Sequence, residues 1–102
     1  MYTFIQNLIE RLPELPDDSI ISQTVFSDER TKVVLFGFAP GQELSEHTAA
    51  RPAMLVFVEG EAEVVLGEDR HQAQAGTWVH MPPHLPHSIT AQTRLVLLLV
   101  LL

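Results

Sequence analysis

The chain has 102 residues, 46% of them hydrophobic and 19% charged, as expected for one globular domain built around a single core. Thirteen acidic residues against six Lys and Arg give a formal net charge of −7, which argues against binding to nucleic-acid phosphates, and the absence of cysteine excludes disulfides, zinc–thiolate sites and cysteine nucleophiles. No apolar run reaches the about 20 residues that a membrane helix needs, and the first residues do not resemble a secretory signal. We therefore expect a cytoplasmic protein that binds neither nucleic acid nor a membrane.

The first residues predict a short amphipathic helix. Apolar side chains recur at helical spacing over residues 3–12, and Pro13 and Pro16 end the pattern. From residue 19 onward, short apolar segments separated by Gly and Pro predict strands. These predicted strands cover residues 19–26, 32–39, 54–58, 62–66, 70–73, 77–81, 87–91 and 94–102. Within a single domain, we assign residues 1–18 to the N-terminal helix and its lead-in, and residues 19–102 to an all-β sandwich or barrel.

The last predicted strand is apolar on both faces from Leu95 to Leu102. A strand with one face in a core and the other in water should alternate between apolar and polar residues. One face of this strand can fill the barrel, so the other face needs a second cover, either the N-terminal helix or another subunit. We expect a homodimer.

Two glycine-bounded segments carry a resemblance to a known family. Their spacings match the two cupin motifs, G-x5-H-x-H-x3-E-x6-G and G-x5-P-x-G-x2-H-x3-N. The positions that keep the motif residues are Gly41, His47 and Gly60 in the first segment and Gly76, Pro82 and His87 in the second. His84 and Ala91 stand where the second motif has Gly and Asn. The chain resembles the small single-domain members of the cupin superfamily, which implies a double-stranded β-helix, or jelly-roll barrel, with the short N-terminal helix before it.

The resemblance also locates a candidate metal site. Cupins that bind a metal use the two histidines and the glutamate of the first motif and the histidine of the second. His47 and His87 keep two of those positions here, whereas Ala49 and Ala53 replace the other two. Two imidazoles alone make a weak site, because divalent transition metals usually take at least three protein ligands. The cofactor, if the protein holds one, is then a divalent metal such as Fe, Ni, Zn or Mn.

A third imidazole would complete this site. Alternation places Trp78 and His80 on one face of their strand, and the resemblance implies that this face turns toward the cavity. His80 would then join His47 and His87 in a three-histidine centre, with Glu43 as a further candidate if its strand is regular. The residues predicted to line the pocket are His47, Met54, Phe57, Trp78, His80 and His87.

The sequence leaves three functions open. The two alanines of the first motif favour a module that binds a small molecule in the barrel mouth and holds a metal weakly or not at all. The alternative is a metal-dependent enzyme built on the rearranged histidine centre. Such an enzyme would be either an oxidoreductase, for example a dioxygenase, or an isomerase. The third is a regulatory ligand-binding domain that works with a partner protein. No residue is assigned a catalytic role, and Arg51 is interpreted either as an anchor for a carboxylate ligand or as a solvated surface residue.

Overall fold

The protein, described over residues 1–102 by a computed structural model, consists almost entirely of β-strands. Its nine strands are β1 (Ile20–Ser27), β2 (Lys32–Phe38), β3 (Glu43–His47), β4 (Ala53–Glu59), β5 (Ala62–Leu66), β6 (Asp69–Ala73), β7 (Trp78–Met81), β8 (His87–Ala91) and β9 (Leu95–Leu101). They form a five-stranded sheet in the order β1-β2-β9-β4-β7 and a four-stranded sheet in the order β3-β8-β5-β6, and every strand pair is antiparallel. The two sheets pack face to face as a jelly-roll barrel, which confirms the predicted fold class.

The predicted helix over residues 3–12 is wrong. Only Ile9–Arg11 is helical, as a single 3-10 turn, and the Ile9 N–H donates to Oδ1 of Asn7 at its start. A helix of about ten residues is marginal in water unless its apolar face packs against the protein, and two prolines close behind the turn prevent its extension. No part of the chain forms a helix that is long and apolar enough to cross a bilayer.

The core lies between the two sheets and consists of alternate residues from each strand. In the five-stranded sheet, the register pairs Phe38 of β2 with Leu95 of β9, and both side chains are fully buried. Ile89 of β8, 1% exposed, faces them from the four-stranded sheet. Among the buried residues of the chain, His87 is the only one with a polar side chain. Its position therefore marks where the core meets the candidate site.

The side of the five-stranded sheet that faces away from the core is also apolar. We call it the apolar outer face. Two rows of cross-strand neighbours run through its centre, each with one residue from β1, β2, β9, β4 and β7 in that order. The first row is Gln23, Leu35, Leu98, Val56 and Trp78, and the second is Phe26, Val33, Val100, Met54 and His80. The N-terminal segment covers part of this surface, where the side chain of Leu12 lies against Gly37. The contact is so close that a Cβ at Gly37 would be 2.5 Å from Cδ2 of Leu12. Leu35 and Val96, on the same side of the sheet as Gly37, are fully buried. The β7 end has no such cover, and Trp78 is 59% exposed.

The corresponding side of the four-stranded sheet is polar. Arg70 of β6 donates to Oε1 of Glu63 in β5 at 2.7 Å, in an ion pair whose side chains are largely exposed to water. The Gln72 side chain bonds to that of Gln92 beside it. We call this surface the polar outer face. Because its strands alternate between apolar and polar residues, this sheet needs cover on one side only.

Candidate functional site

Two histidines meet at the open end of the barrel. His47 of β3 is the cross-strand partner of His87 in β8, and the centroids of their imidazole rings are 4.1 Å apart with 60° between the ring planes. The pairing depends on an irregularity in β3, where the register shifts between Leu44 and His47. Leu44 and His47 therefore both line the barrel although they are three residues apart, an odd spacing that would place them on opposite faces of a regular strand.

The same irregularity removes Glu43 from the candidate metal ligands. The prediction that Glu43 shares the face of His47 assumed a regular strand, and β3 is not regular. Glu43 pairs with Thr90, and its carboxylate accepts a hydrogen bond of 3.4 Å from Oγ1 of Thr90 on the polar outer face. Neither Glu43 nor Glu46 of β3 therefore joins the two histidines in a group of three possible metal ligands.

Backbone carbonyls hold both imidazoles in the same way. Nδ1 of His47 is 3.0 Å from the carbonyl oxygen of Ser45, and Nδ1 of His87 is 2.9 Å from that of Leu85. Because a carbonyl oxygen only accepts, each Nδ1 must carry the hydrogen, which makes Nε2 the unprotonated nitrogen of each neutral ring. No buried side-chain nitrogen or oxygen of the protein lacks a partner, so Nε2 of His87, which has no hydrogen bond within the protein, is not fully buried.

The histidine pair lies on an apolar cavity of about 120 Å³. Apart from the two imidazoles, every side chain around it is a hydrocarbon. The lining residues other than the histidines are Phe36, Phe38, Leu44, Leu55, Ile89, Leu97 and Leu99. The cavity can therefore offer hydrogen bonds at one end only, where the two rings stand.

The environment of His87 favours its neutral form. Burial lowers the pKa of His87 below its ordinary value of 6.5, the bond to the Leu85 carbonyl raises it, and the neighbouring His47 lowers it again. The net direction is downward. At neutral pH the ring is therefore an uncharged acceptor at Nε2.

Three of the predicted pocket residues lie elsewhere. Alternation along β7 directs Val79 and Met81 into the barrel and leaves Trp78 and His80 outside, which is the reverse of the prediction. Met54 is the cross-strand partner of His80 and shares its outward direction. Period-two alternation identifies which residues share a face but not which face is inside, and β7 offers large side chains on both.

Phe57 is inside the barrel but does not line the cavity. It is 1% exposed and belongs to the buried core cluster. Met54 and Phe57 are also an odd number of residues apart, so a regular strand cannot direct both into one pocket. Of the six predicted pocket residues, the structure brings only His47 and His87 together at the cavity.

Trp78 and His80 lie instead on a separate, larger cleft. This cleft has a volume of about 350 Å³ and lies between β6 and β7, which are the edge strands of the two sheets. His71 of β6 contributes to its wall, and Val64 to its apolar floor. The sequence predicts one pocket for all of these side chains, but they line two. His47 and His87 line the cavity in the barrel, and Trp78 and His80 line the cleft between β6 and β7.

The histidine pair does not fit a three-ligand transition-metal centre. Nowhere in the chain do three or more His, Cys, Asp or Glu side chains come close enough to share a metal ion. Ala49 and Ala53 carry no donor atom, and His80 is on the outside of its sheet. The three-histidine centre of His47, His80 and His87 is therefore not formed, and a divalent ion at the mouth would meet two imidazoles and no carboxylate.

The loop of the second motif has a residue with positive φ at the glycine position although that residue is not glycine. Gly41, Gly60 and Gly76 all have positive φ, and His84 takes φ of +69° at the position where the motif has Gly. The His84 N–H donates to the carbonyl oxygen of Ala49 at 2.7 Å, which joins the two motifs at the barrel mouth.

Arg51 has a structural role. Its Nε donates to the carbonyl oxygen of Leu102 at 3.0 Å, and its Nη2 donates to the carbonyl oxygen of Arg30. The guanidinium therefore links the β1–β2 turn to the end of β9, and Arg51 is exposed, as its interpretation as a surface residue expects.

The residues missed by sequence reasoning are the hydrocarbon walls of the cavity. Phe36 and Phe38 of β2 lie beside Leu97 and Leu99 of β9, and the register pairs Phe36 with Leu97. Their period-two spacing is visible in the sequence. Both strands are apolar on each face, however, so the pattern alone does not identify the inward set.

Comparisons with known proteins agree with this architecture. An RmlC-like cupin protein from Desulfovibrio desulfuricans is similar with a TM-score of 0.85 and 29% identity, over 98% of this chain and 96% of that one. The TT1209 protein from Thermus thermophilus gives 0.85 and 25% over 95% and 94%. The SPY1581 protein of unknown function from Streptococcus pyogenes gives 0.87 and 22% over 100% and 89%.

The sequence itself matches a family model. A search of curated proteins gives no match. The model of the cupin domain, in contrast, matches residues 34–101, which include both glycine-bounded motifs. Because this match extends over well more than half of the residues, the chain belongs to the cupin domain family.

Proposed function

We propose that this cupin is a binding protein whose ligand is a small, largely apolar molecule held at the barrel mouth by His47 and His87. The observation that carries the proposal is the pair of imidazoles on an otherwise hydrocarbon cavity. Backbone carbonyls satisfy both Nδ1 atoms. The two Nε2 lone pairs are therefore the polar groups that remain for a ligand.

The cavity volume limits the size of the ligand. At about 120 Å³, it is somewhat smaller than an apolar cavity of about 150 Å³ that admits benzene. The buried part of the ligand should therefore have about six non-hydrogen atoms or fewer. His47 is exposed at the mouth, so a polar group of the ligand can remain in contact with water.

The chemistry of the mouth indicates the polar group. Neutral imidazoles with Nδ1 protonated accept at Nε2, so the ligand should donate through a hydroxyl or a similar group. The hydrocarbon walls provide no charged side chain to compensate a charged ligand. Short branched alcohols and phenols combine an apolar body with one donor, and we propose a ligand of this class.

The proposal includes two further features. The protein works without a metal or binds one weakly, because the mouth supplies two imidazoles and lacks the carboxylate that would offset a divalent charge. We place its action in the cytoplasm, as expected from the sequence. Both remain predictions, which metal analysis of protein purified without chelator and fractionation of native cells would test.

The ligand is tested with phenol as the probe. We expect phenol to shift the imidazole Nε2 resonances of His47 and His87 in ¹⁵N NMR spectra and to leave Nδ1 nearly unchanged, because only Nε2 is free to accept. His87→Leu should abolish saturable binding, and His84→Asn, which removes an imidazole from the exposed loop and tolerates its positive φ, should preserve it. One tightly held metal ion per chain, or phenol binding that is equal in His87→Leu and the unsubstituted protein, would contradict the proposal.

A further inference from the structure

The cleft between β6 and β7 is separate from the cavity at the histidine pair. Its volume of about 350 Å³ is the larger of the two and falls within the range of about 300–1,000 Å³ that is typical of ligand sites. No residue lines both. The barrel therefore has a second concave site, at the side where the edge strands of its two sheets meet.

One wall of the cleft presents aromatic rings. Trp78 and His80 project from the same side of β7, and their ring centroids are 6.5 Å apart with 30° between the ring planes. Trp78 is 59% exposed, so much of its indole is open to water. An aromatic molecule that stacks on this indole would remove apolar surface of both rings from water.

Unpaired imidazoles stand on both walls. His71 lies on the β6 wall and His80 on the β7 wall. The histidine rings that hydrogen-bond to protein groups are those of His47 and His87, so His71 and His80 keep both ring nitrogens for a ligand. A neutral imidazole has one donor and one acceptor nitrogen. A molecule between the walls can therefore both donate to and accept from each side.

The free edge of β7 adds peptide groups. The Phe57 N–H donates to the carbonyl oxygen of Thr77 at 2.9 Å, which sets the alternation of hydrogen-bonded pairs between β4 and β7. Val79 therefore bonds to β4, whereas the N–H and C=O groups of Trp78 and His80 point away from it. Because β7 is an edge strand, these groups have no neighbouring strand to pair with.

The cleft contains no ionised carboxylate, ammonium or guanidinium group. None of its nine lining residues is Asp, Glu, Lys or Arg, and its apolar floor includes Val64 and Leu66. A charged group held there would lose hydration with no opposite charge to offset the loss. The formal net charge of −7 disfavours an anion further. These properties select a neutral ligand.

We propose that this cleft is a second ligand site and that it binds a neutral, planar heteroaromatic molecule with both hydrogen-bond donors and acceptors. The ring of the ligand stacks on Trp78. Its polar groups bond to His71, His80 and the free edge of β7. The site works independently of the histidine pair at the barrel mouth, because the two share no residue.

Nicotinamide is the probe, because it joins a pyridine ring to an uncharged carboxamide. It should quench the emission of Trp78, the only tryptophan of the chain, in a saturable manner. Cyclohexanecarboxamide keeps the amide without the aromatic ring, and nicotinate keeps the ring but carries a carboxylate at neutral pH. Both should bind about 10-fold more weakly or worse, because the first cannot stack and the second is charged. NMR titration of the Trp78 indole N–H gives the three dissociation constants.

Two variants test whether the cleft, and not an exposed ring alone, holds the probe. His71→Leu on the β6 wall should weaken nicotinamide binding about 2- to 10-fold, as expected for the loss of one hydrogen bond. Phe4→Leu removes an exposed aromatic side chain outside the cleft and should leave binding unchanged. Nicotinamide should also shift the imidazole ¹⁵N resonances of His71 and His80 and leave those of His47 and His87 in place. Quenching that does not saturate, a control compound that binds as tightly as nicotinamide, or binding unaffected by His71→Leu would overturn the inference.

Discussion

The two sheets of the barrel share one core but differ on their outer sides. The five-stranded sheet is apolar on both faces, with Leu35 fully buried away from the core and Trp78 open at the edge. The four-stranded sheet carries the Glu63–Arg70 ion pair outside and His87 inside. The difference shows that one sheet has apolar side chains on both sides, whereas the other presents polar groups to water and an imidazole to the cavity.

The largest effect should come from the covered part of the apolar outer face. Leu35→Ala should lower the free energy of unfolding by about 2–5 kcal/mol, because it removes a fully buried side chain and leaves a cavity. Gln72→Ala on the polar outer face should change it by no more than about 0.5 kcal/mol. Urea denaturation of both variants measures the contrast, and equal effects would show that the two faces are equivalent.

A smaller effect should follow from Gly37→Ala. The added Cβ would lie 2.5 Å from Cδ2 of Leu12, so the N-terminal segment must move while the sheet keeps its pairing. We expect faster tryptic cleavage after Arg11 and no change after Arg70. Adding Leu12→Ala should remove the clash and with it the stability cost of about 1 kcal/mol. Cleavage that stays slow in Gly37→Ala would mean that Leu12 does not hold the segment on the sheet.

The four-stranded sheet should respond to pH through His87. The folded state lowers the pKa of His87, so below pH 6.5 the unfolded chain binds more protons than the folded one. Stability should therefore be full above that pH and fall as the pH drops through the lowered pKa. Melting temperatures followed from about pH 7.5 to about pH 5.5 should decline in the unsubstituted protein. The decline should be shallower in His87→Gln, and a parallel decline would contradict the role of His87.

The smallest effect should come from the ion pair on the polar outer face. The Glu63 and Arg70 side chains are 40% and 72% exposed, and water screens such a pair. A double-mutant cycle with Glu63→Gln and Arg70→Gln should give a coupling of about 0.2–0.5 kcal/mol that vanishes in high salt. A coupling well above about 1 kcal/mol would show that this face is less solvated than its exposure indicates.

The sequence identifies the frame of the fold better than the contents of the pocket. The motif glycines and the histidines at positions 47 and 87 could be found because their spacing resembles that of the two cupin motifs, and the glycines stand at turns of positive φ, which few other residues adopt readily. The orientation of β7 could not be predicted from the sequence, because the strand has large side chains on both faces, namely Trp78, Val79, His80 and Met81. Whether a short N-terminal segment becomes a helix depends on tertiary packing, which periodicity does not contain.

The register shift in β3 determines which group of that strand enters the barrel. With the present spacing, a regular strand that kept Leu44 inside would present Glu46 to the cavity and turn His47 outward. The extra residue in β3 therefore turns the imidazole of His47 toward the cavity in place of the carboxylate of Glu46, with no substitution in the sequence. In genetic terms, loss of the single codon for Glu46 would leave Leu44 and His47 two residues apart and restore simple alternation. The histidine pair should therefore survive that deletion. Its position depends on the number of residues between Leu44 and His47 as much as on the identity of those residues.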